Sequence, residues 1–195
     1  MFRNYLIAAG AALVWLGVSA ASALALDLPE AKQTKAGLYV TAIEAAELLN
    51  SENVLLIDVR SRAEVAYLGL PVRANKHIPY MVMPLVPEFD TAKGTYKLEL
   101  NPDFPIDVKN FIAEAGAGPD TPIVLMCRSG SRSARAADLL TDLGYTQVYS
   151  IIDGFEGDKA KDGEFKGMRM VNGWKNGGLA WTYKISDTQA YPGDI

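Results

Sequence analysis

The chain has 195 residues, 19 basic and 23 acidic, for a net charge of −4, and 49% of its residues are hydrophobic. That length suits one domain with a substantial core, and the mild acidity supplies no field for gathering nucleic acid or an anionic membrane surface. A single cysteine, Cys127, excludes an internal disulfide, so the core must carry stability and the odd thiol is either a liability or a tool.

Residues 1–25 read as a secretory signal: Arg3 gives the positive start, 5–18 an apolar stretch, and Ala21 to Ala25 a small-residue ending with an Ala-x-Ala site. Cleavage near Ala25 would leave a periplasmic or secreted protein with no stable membrane insertion. The competing reading is an uncleaved N-terminal membrane anchor, because residues 5–26 carry no charge and nearly suffice to span a bilayer. The alanine, glycine and serine content favours cleavage. A lipoprotein would need a cysteine at the cleavage site, where none stands.

Residues 26–37 form a flexible lead-in, beginning with the polar, aperiodic LDLPEAKQTK. Thr41-x-x-Glu44 is a capping-box pattern that predicts a helix through Asn50, with Ile43, Leu48 and Leu49 turned to the core. A strand over 54–58 follows, and Ser61-x-x-Glu64 repeats the capping box for a short helix through Tyr67. Residues 78–84 alternate enough for a strand or extended arm. Phe104, Val108, Phe111 and Ile112 set the apolar positions of a helix over 102–116, ended by Gly116 and Gly118. The hydrophobic run 122–126 predicts a buried strand. Residues 133–143 predict a helix with Ala134, Ala137, Leu140 and Leu143 on one stripe, and 147–152 a final strand. This alternation argues a parallel sheet covered on both faces, and in such sheets ligands bind beyond the carboxyl ends of the strands.

Cys127 stands at one of those ends. It opens the sequence Cys127-Arg128-Ser129-Gly130-Ser131-Arg132-Ser133, between strand and helix. Successive backbone N–H groups, the positive end of the helix and two arginines there all favour thiolate over thiol. Small Ser129, Gly130 and Ser131 let the backbone curl close to the sulfur.

The loop Cys-x-x-Gly-x-Arg followed by a helix resembles the active-site loop of the rhodanese family. Residues 54–60 (VLLIDVR) with Glu64 are similar to the family's first strand and Asp-Val-Arg signature, and His77-Ile78-Pro79 to its His-Ile-Pro. Gly144-Tyr145 with 148–154 resembles its last helix-to-strand step, and Gly173-Trp174 with Gly177-Gly178-Leu179 its closing segment. The resemblance covers residues 38–182, leaving 183–195 as a C-terminal tail. It implies an α/β fold, rhodanese-like, with a parallel sheet of about five strands and helices on both faces. Two segments, 80–101 and 158–170, exceed what a minimal domain of this family needs and read as surface excursions.

The resemblance further implies sulfur transfer through a persulfide on Cys127, with no cofactor and no metal. A small anionic sulfur donor of the thiosulfate kind and a thiol, cyanide or protein acceptor are the partners implied. Cys127 is the nucleophile, Arg128 the donor contact, and Arg132 the brace of loop and helix. Asp58 and Arg60 lie either at the pocket rim or, as the favoured reading, in structural roles, Asp58 as a cap and Arg60 in an ion pair with a partner such as Glu64. His77 is expected to make a structural hydrogen bond. Trp174 and Trp181 are expected to pack the closing segment onto the core. The methionine pairs at 81/83 and 168/170 read as faces of extended segments rather than copper ligands. Lys76, Tyr80 and Asp153 depart from the family pattern. Phosphatases and arsenate reductases of the same fold have one more residue between cysteine and arginine than the four here, and a tighter cradle suits one sulfur rather than a phosphate. A non-catalytic persulfide carrier would need the same cysteine cradle.

Overall fold

A computed structural model describes residues 28–51 and 53–191. The predicted signal, 1–25, lies outside the described residues, as do 26–27 of the lead-in and 192–195 of the tail.

Strand β1 (Tyr39–Val40) leads to helix α1 (Ala42–Leu48), and β2 (Leu55–Asp58) to α2 (Arg62–Leu68). Both predicted capping boxes are formed, Thr41 with Glu44 and Ser61 with Glu64: each hydroxyl accepts the N3 N–H while the glutamate accepts the cap N–H. Strands β3 (Leu70–Pro71) and β4 (Lys76–His77) precede the first excursion, which carries β5 (Met81–Val82), β6 (Phe89–Asp90), β7 (Thr95–Tyr96) and β8 (Glu99–Leu100). Helix α3 (Phe104–Glu114), β9 (Ile123–Met126), α4 (Ser131–Asp142), β10 (Val148–Ile151) and β11 (Trp181–Thr182) complete the order.

The main sheet runs β1-β10-β9-β2-β4 with every pairing parallel, as the alternation of strands and helices predicts. Its central strands are buried on both faces, which is why they read as unbroken apolar runs. Leu55, Ile57, Ile123 and Leu125 pack under Phe104, Val108, Ile112, Ala137 and Leu140 of α3 and α4. Leu56, Val124 and Met126 pack on the other face with Ala42, Ala45, Val65 and Trp174. The two central strands end level with each other, Asp58 opposite Met126. Cys127 and Val59 therefore leave the sheet side by side.

The excursions stay outside this core except at the ends of the first, where Tyr80 and Asn101 are buried. Residues 80–101 form two short antiparallel pairs, β5 with β8 and β6 with β7. The closing segment returns through Trp174 and pairs β11 with β3. The tail does not stop there: His77 N–H donates to Gln189 O at 2.8 Å, Lys76 Nζ to Thr188 O at 2.9 Å, and Tyr191 Oη to Asp107 at 2.5 Å. Edge strand β4 is thereby covered rather than left open. Of the two departures from the family pattern here, Lys76 holds the tail through Thr188 O, and Tyr80 packs in the core, meeting Phe104 edge to face at 5.2 Å.

Two predicted core positions are corrected. Ile43 is exposed, and Ala42, Ala45 and Leu49 face inward instead, because the Ala42 N–H is tied to Asp153 at 2.8 Å and that bond sets the phase of α1. Leu143 is 43% exposed. Helix α4 ends at Asp142, and Gly144 at φ 96° turns the chain away before the stripe is completed. Replacing Leu140, which is fully buried, by alanine is expected to cost about 2–5 kcal/mol, whereas Leu143→Ala should cost less than about 0.5 kcal/mol. Urea unfolding of the two variants measures this, and equal losses would contradict the assignment of α4's faces.

Candidate active site

Cys127 leaves β9 with its side chain on the α3/α4 face, in the same cluster as Ile57, Ala136 and Ala137. The residue is 1% exposed, and its sulfur accepts a hydrogen bond from the Gly130 N–H at 3.1 Å. Ser133 Oγ lies 3.4 Å from it. That hydroxyl accepts from Ser150 Oγ at 2.9 Å and donates to Gly130 O at 3.0 Å. The sulfur thus sits at the base of a loop whose nearest polar groups are one backbone amide and one buried hydroxyl.

The backbone after β10 gives the loop its shape. Phe155 N–H donates to Cys127 O at 2.8 Å, and Glu156 N–H to Arg128 O at 3.0 Å. Such close approach demands glycine at 154: at φ 62°, a Cβ there would fall 2.5 Å from Cys127 O and 2.6 Å from Ser129 N. Gly130, at φ 103°, is under the same constraint, since its Cβ would lie 2.2 Å from Ile152 O. Asp153 anchors this strip, accepting the N–H of Ala42 at 2.8 Å and of Gly173 at 2.9 Å. Burial raises its pKa against those two donors. The residue that departs from the family pattern is therefore a clasp between the first helix and the closing segment.

Charged pairs hold the loop's flanks. Arg132 donates from both terminal nitrogens to Glu64, each at 2.6 Å. Burial works to raise the Glu64 pKa, but Arg132 and Ser61 overcome it and hold the carboxyl at about 2. The expected bracing role of Arg132 thus has a visible partner. Arg60 does not meet Glu64, as its spacing had suggested. Its guanidinium instead pairs with Asp58, Nη2 to Oδ2 at 2.6 Å, and donates to Gly69 O at 2.7 Å. The reason is reach: both side chains are fully buried beneath the loop, while Glu64 is turned outward to Arg132. Arg60 also stacks 3.9 Å from the ring centre of Phe155, so the buried pair supports the residue that holds the Cys127 carbonyl. Arg60 O in turn accepts the Nε2–H of His77 at 2.7 Å. Burial keeps the His77 pKa below its ordinary value, and this structural hydrogen bond is the role its His-Ile-Pro setting had indicated.

Of the predicted site residues, Cys127, Ser129, Gly130, Ser131, Arg132 and Ser133 form one continuous turn into α4. Arg128 projects from it, exposed to solvent. Asp58 and Arg60 lie underneath and do not reach the surface. Sequence reasoning did not single out Ser150, whose one signal is a hydroxyl inside the buried strand VYSI. It also left Gly154 and Phe155 without a role, because their importance depends on which backbone they run against. Among the described residues no helix is long and apolar enough to cross a membrane.

This geometry defines an α/β domain with a cysteine loop between a central strand and a helix. The rhodanese-like domain family matches residues 41–161, and the chain belongs to that family. The protein RC0915 of Rickettsia conorii is 31% identical to it over 136 residues, which cover 70% of this chain and 89% of the relative. The crystal structure of Rv0390 from M. tuberculosis is similar with a TM-score of 0.54 and 29% identity, covering 75% of this chain and 97% of that one. The thiosulfate sulfurtransferase GlpE of Tolumonas auensis matches over a shorter stretch, 50% identical across 38 residues, or 20% of this chain and 36% of that enzyme.

The Glu64–Arg132 pair makes a pH prediction. A folded pKa of about 2 lies below the ordinary 4.5, so the stabilisation from Glu64 is fully present above about pH 4.5 and is lost as the pH falls towards about 2. Glu64→Gln should lower stability at neutral pH and flatten its fall across that window. The loss due to charging His77 begins at higher pH and is common to both proteins, so it cancels in the comparison. Denaturant midpoints at several pH values decide it; parallel acid limbs would show that Glu64 is not the group responsible.

Proposed function

We propose that the protein is an exported sulfurtransferase that carries sulfane sulfur on Cys127 from a thiosulfate-like anion to a thiophilic acceptor. The observation that carries this reading is the Gly130 N–H directed at the Cys127 sulfur at 3.1 Å, in a loop whose other members are small or basic. In the first half-reaction the Cys127 thiolate attacks the outer sulfur of thiosulfate. A bond forms between the two sulfurs, the donor's S–S bond breaks, and sulfite leaves with the electron pair. Cys127 keeps an anionic persulfide. In the second half-reaction an acceptor such as cyanide attacks the outer sulfur and leaves as thiocyanate, returning the thiolate. Charge and atoms balance in both steps, and no base, metal or redox cofactor is called for.

Each residue has a part in this scheme. Gly130 N–H stabilises charge on the inner sulfur, and the Ser133 hydroxyl, 3.4 Å away and held by Ser150, adds to it by turning its proton from Gly130 O to the sulfur once charge develops there. Arg128, exposed at the loop's outer side, meets the donor anion. Ser129 and Ser131 keep the mouth narrow, Arg132 fixes the loop to α2 through Glu64, and Asp58 and Arg60 support it from below. Family membership and the local match to a thiosulfate sulfurtransferase support the reaction class. Export rests on the leader pattern of residues 1–25, and mature protein beginning near Leu26 is its consequence.

Intact mass spectrometry tests the chemistry. Wild-type protein given thiosulfate should gain the mass of one sulfur atom and lose it to cyanide or a small thiol. Cys127→Ser should fold, yet neither gain sulfur nor form thiocyanate, since a hydroxyl cannot form a persulfide. Turnover of an aryl phosphate without sulfur uptake would refute the proposal; uptake followed by transfer only to a protein would make the chain a carrier.

A further inference from the structure

The second excursion is turned towards the cysteine loop at a single point. Residues 161–168 are all exposed, and Arg169 then turns inward. The segment doubles back on itself: Lys159 and Arg169 form an antiparallel bridge, Ala160 N–H donates to Met168 O at 2.8 Å, and Gly167 N–H to Ala160 O at 2.9 Å. Arg169 Nη1 donates to Gly157 O at 2.5 Å, and Asn176 Nδ2 holds the Arg169 carbonyl at 3.2 Å. Gly157 directly follows Phe155 and Glu156, whose N–H groups bind the Cys127 and Arg128 carbonyls. The guanidinium is therefore fastened to the same strip of backbone that shapes the loop.

This tether sets two like charges near each other. Burial and the neighbouring Arg128 push the Arg169 pKa below its ordinary value, against the opposing pull of Glu156, Asp158 and Cys127. Among the described residues neither Arg128 nor Arg169 is in a salt bridge. Glu156 and Asp158 offset the repulsion between the two guanidinium groups only in part, and an incoming anion relieves what remains.

We propose that Arg169 is a specificity-determining residue that acts with Arg128 to receive the two negative charges of a dianionic sulfur donor at the mouth of the Cys127 loop. This rests on the sulfurtransferase reading and extends it: the excursion selects donor charge. Thiosulfate carries two charges and releases sulfite. A methanethiosulfonate anion carries one, gives up the same outer sulfur to the thiolate, and releases methanesulfinate with the electron pair of the broken S–S bond. The first donor needs both arginines and the second only one.

The test compares the wild type with Arg169→Ala and with Arg169→Gln, which keeps an amide donor for Gly157 O should alanine unfold the segment. Expected is a fall of about tenfold in kcat/KM for thiosulfate, mainly through KM, with at most about a threefold fall for methanethiosulfonate. The thiosulfate rate should also depend less steeply on salt, and Arg169→Lys should recover most of the loss. Equal losses for the two donors, or none in either variant, would overturn the proposal. Sulfate protection of Cys127 against iodoacetamide provides a readout independent of turnover. If wild-type protein takes sulfur from neither donor, the sulfurtransferase reading fails. Weaker sulfate protection in the variants then upholds an anion site at Arg169, and unchanged protection overturns it.

Discussion

Two backbone hydrogen bonds, from Phe155 to the Cys127 carbonyl and from Glu156 to the Arg128 carbonyl, are the constraint on which the site depends. They turn the carbonyls of the loop outward onto the following segment, which frees the amide side of the turn to face the sulfur. Gly154 is what allows the two stretches to come so close, and Asp153 fixes where the second stretch lies. Helix α1, the cysteine loop and the closing segment are thus joined through a strip of five residues, 153–157.

Around this strip the protein places its buried charges as supports rather than as reactive groups. Asp58 and Arg60 are out of reach of solvent and pair with each other, with the guanidinium also bonded to Gly69 O and stacked on Phe155, while its Nη1 has no hydrogen-bond partner among the described residues. Breaking such a pair by removing one partner leaves an uncompensated buried charge and costs more than the pair itself contributes. Glu64 and Arg132 do the same work at the outer flank, coupling the first turn of α4 to α2 across 68 residues of sequence. Among the described residues Arg128 and Arg169 are in no salt bridge: Arg128 is exposed on the loop, and Arg169 is half-buried against Gly157 O.

Much of this was legible in the residues. Both capping boxes, the two buried central strands and the apolar face of α3 follow from local pattern, because caps and strand burial are decided by side chains only a few positions apart. The cysteine loop was equally readable, since its small and basic residues are consecutive. The errors lie at helix phase. Ile43 and Leu143 fit a helical stripe on paper, but the phase of α1 is set by a bond to Asp153 and the length of α4 by the turn at Gly144, neither of which is written in the helix itself.

The sequence by itself determined that a thiol would stand at the carboxyl end of a parallel strand, ahead of a helix and among arginines, because strand, loop and helix signals are contiguous there. Only the tertiary structure decided what surrounds it. Arg60 pairs with Asp58 and Glu64 with Arg132, although spacing alone allowed Arg60 to meet Glu64. Ser150, from a different strand, completes the hydroxyl pair behind the sulfur, and Arg169, in a segment that reads as plain polar surface, is carried back to the loop by a turn of chain. Ser150 lies 17 residues from Ser133 and Arg132 lies 68 from Glu64, and contacts at such separations are chosen by the packing of the sheet and the course of the backbone, not by any local periodicity.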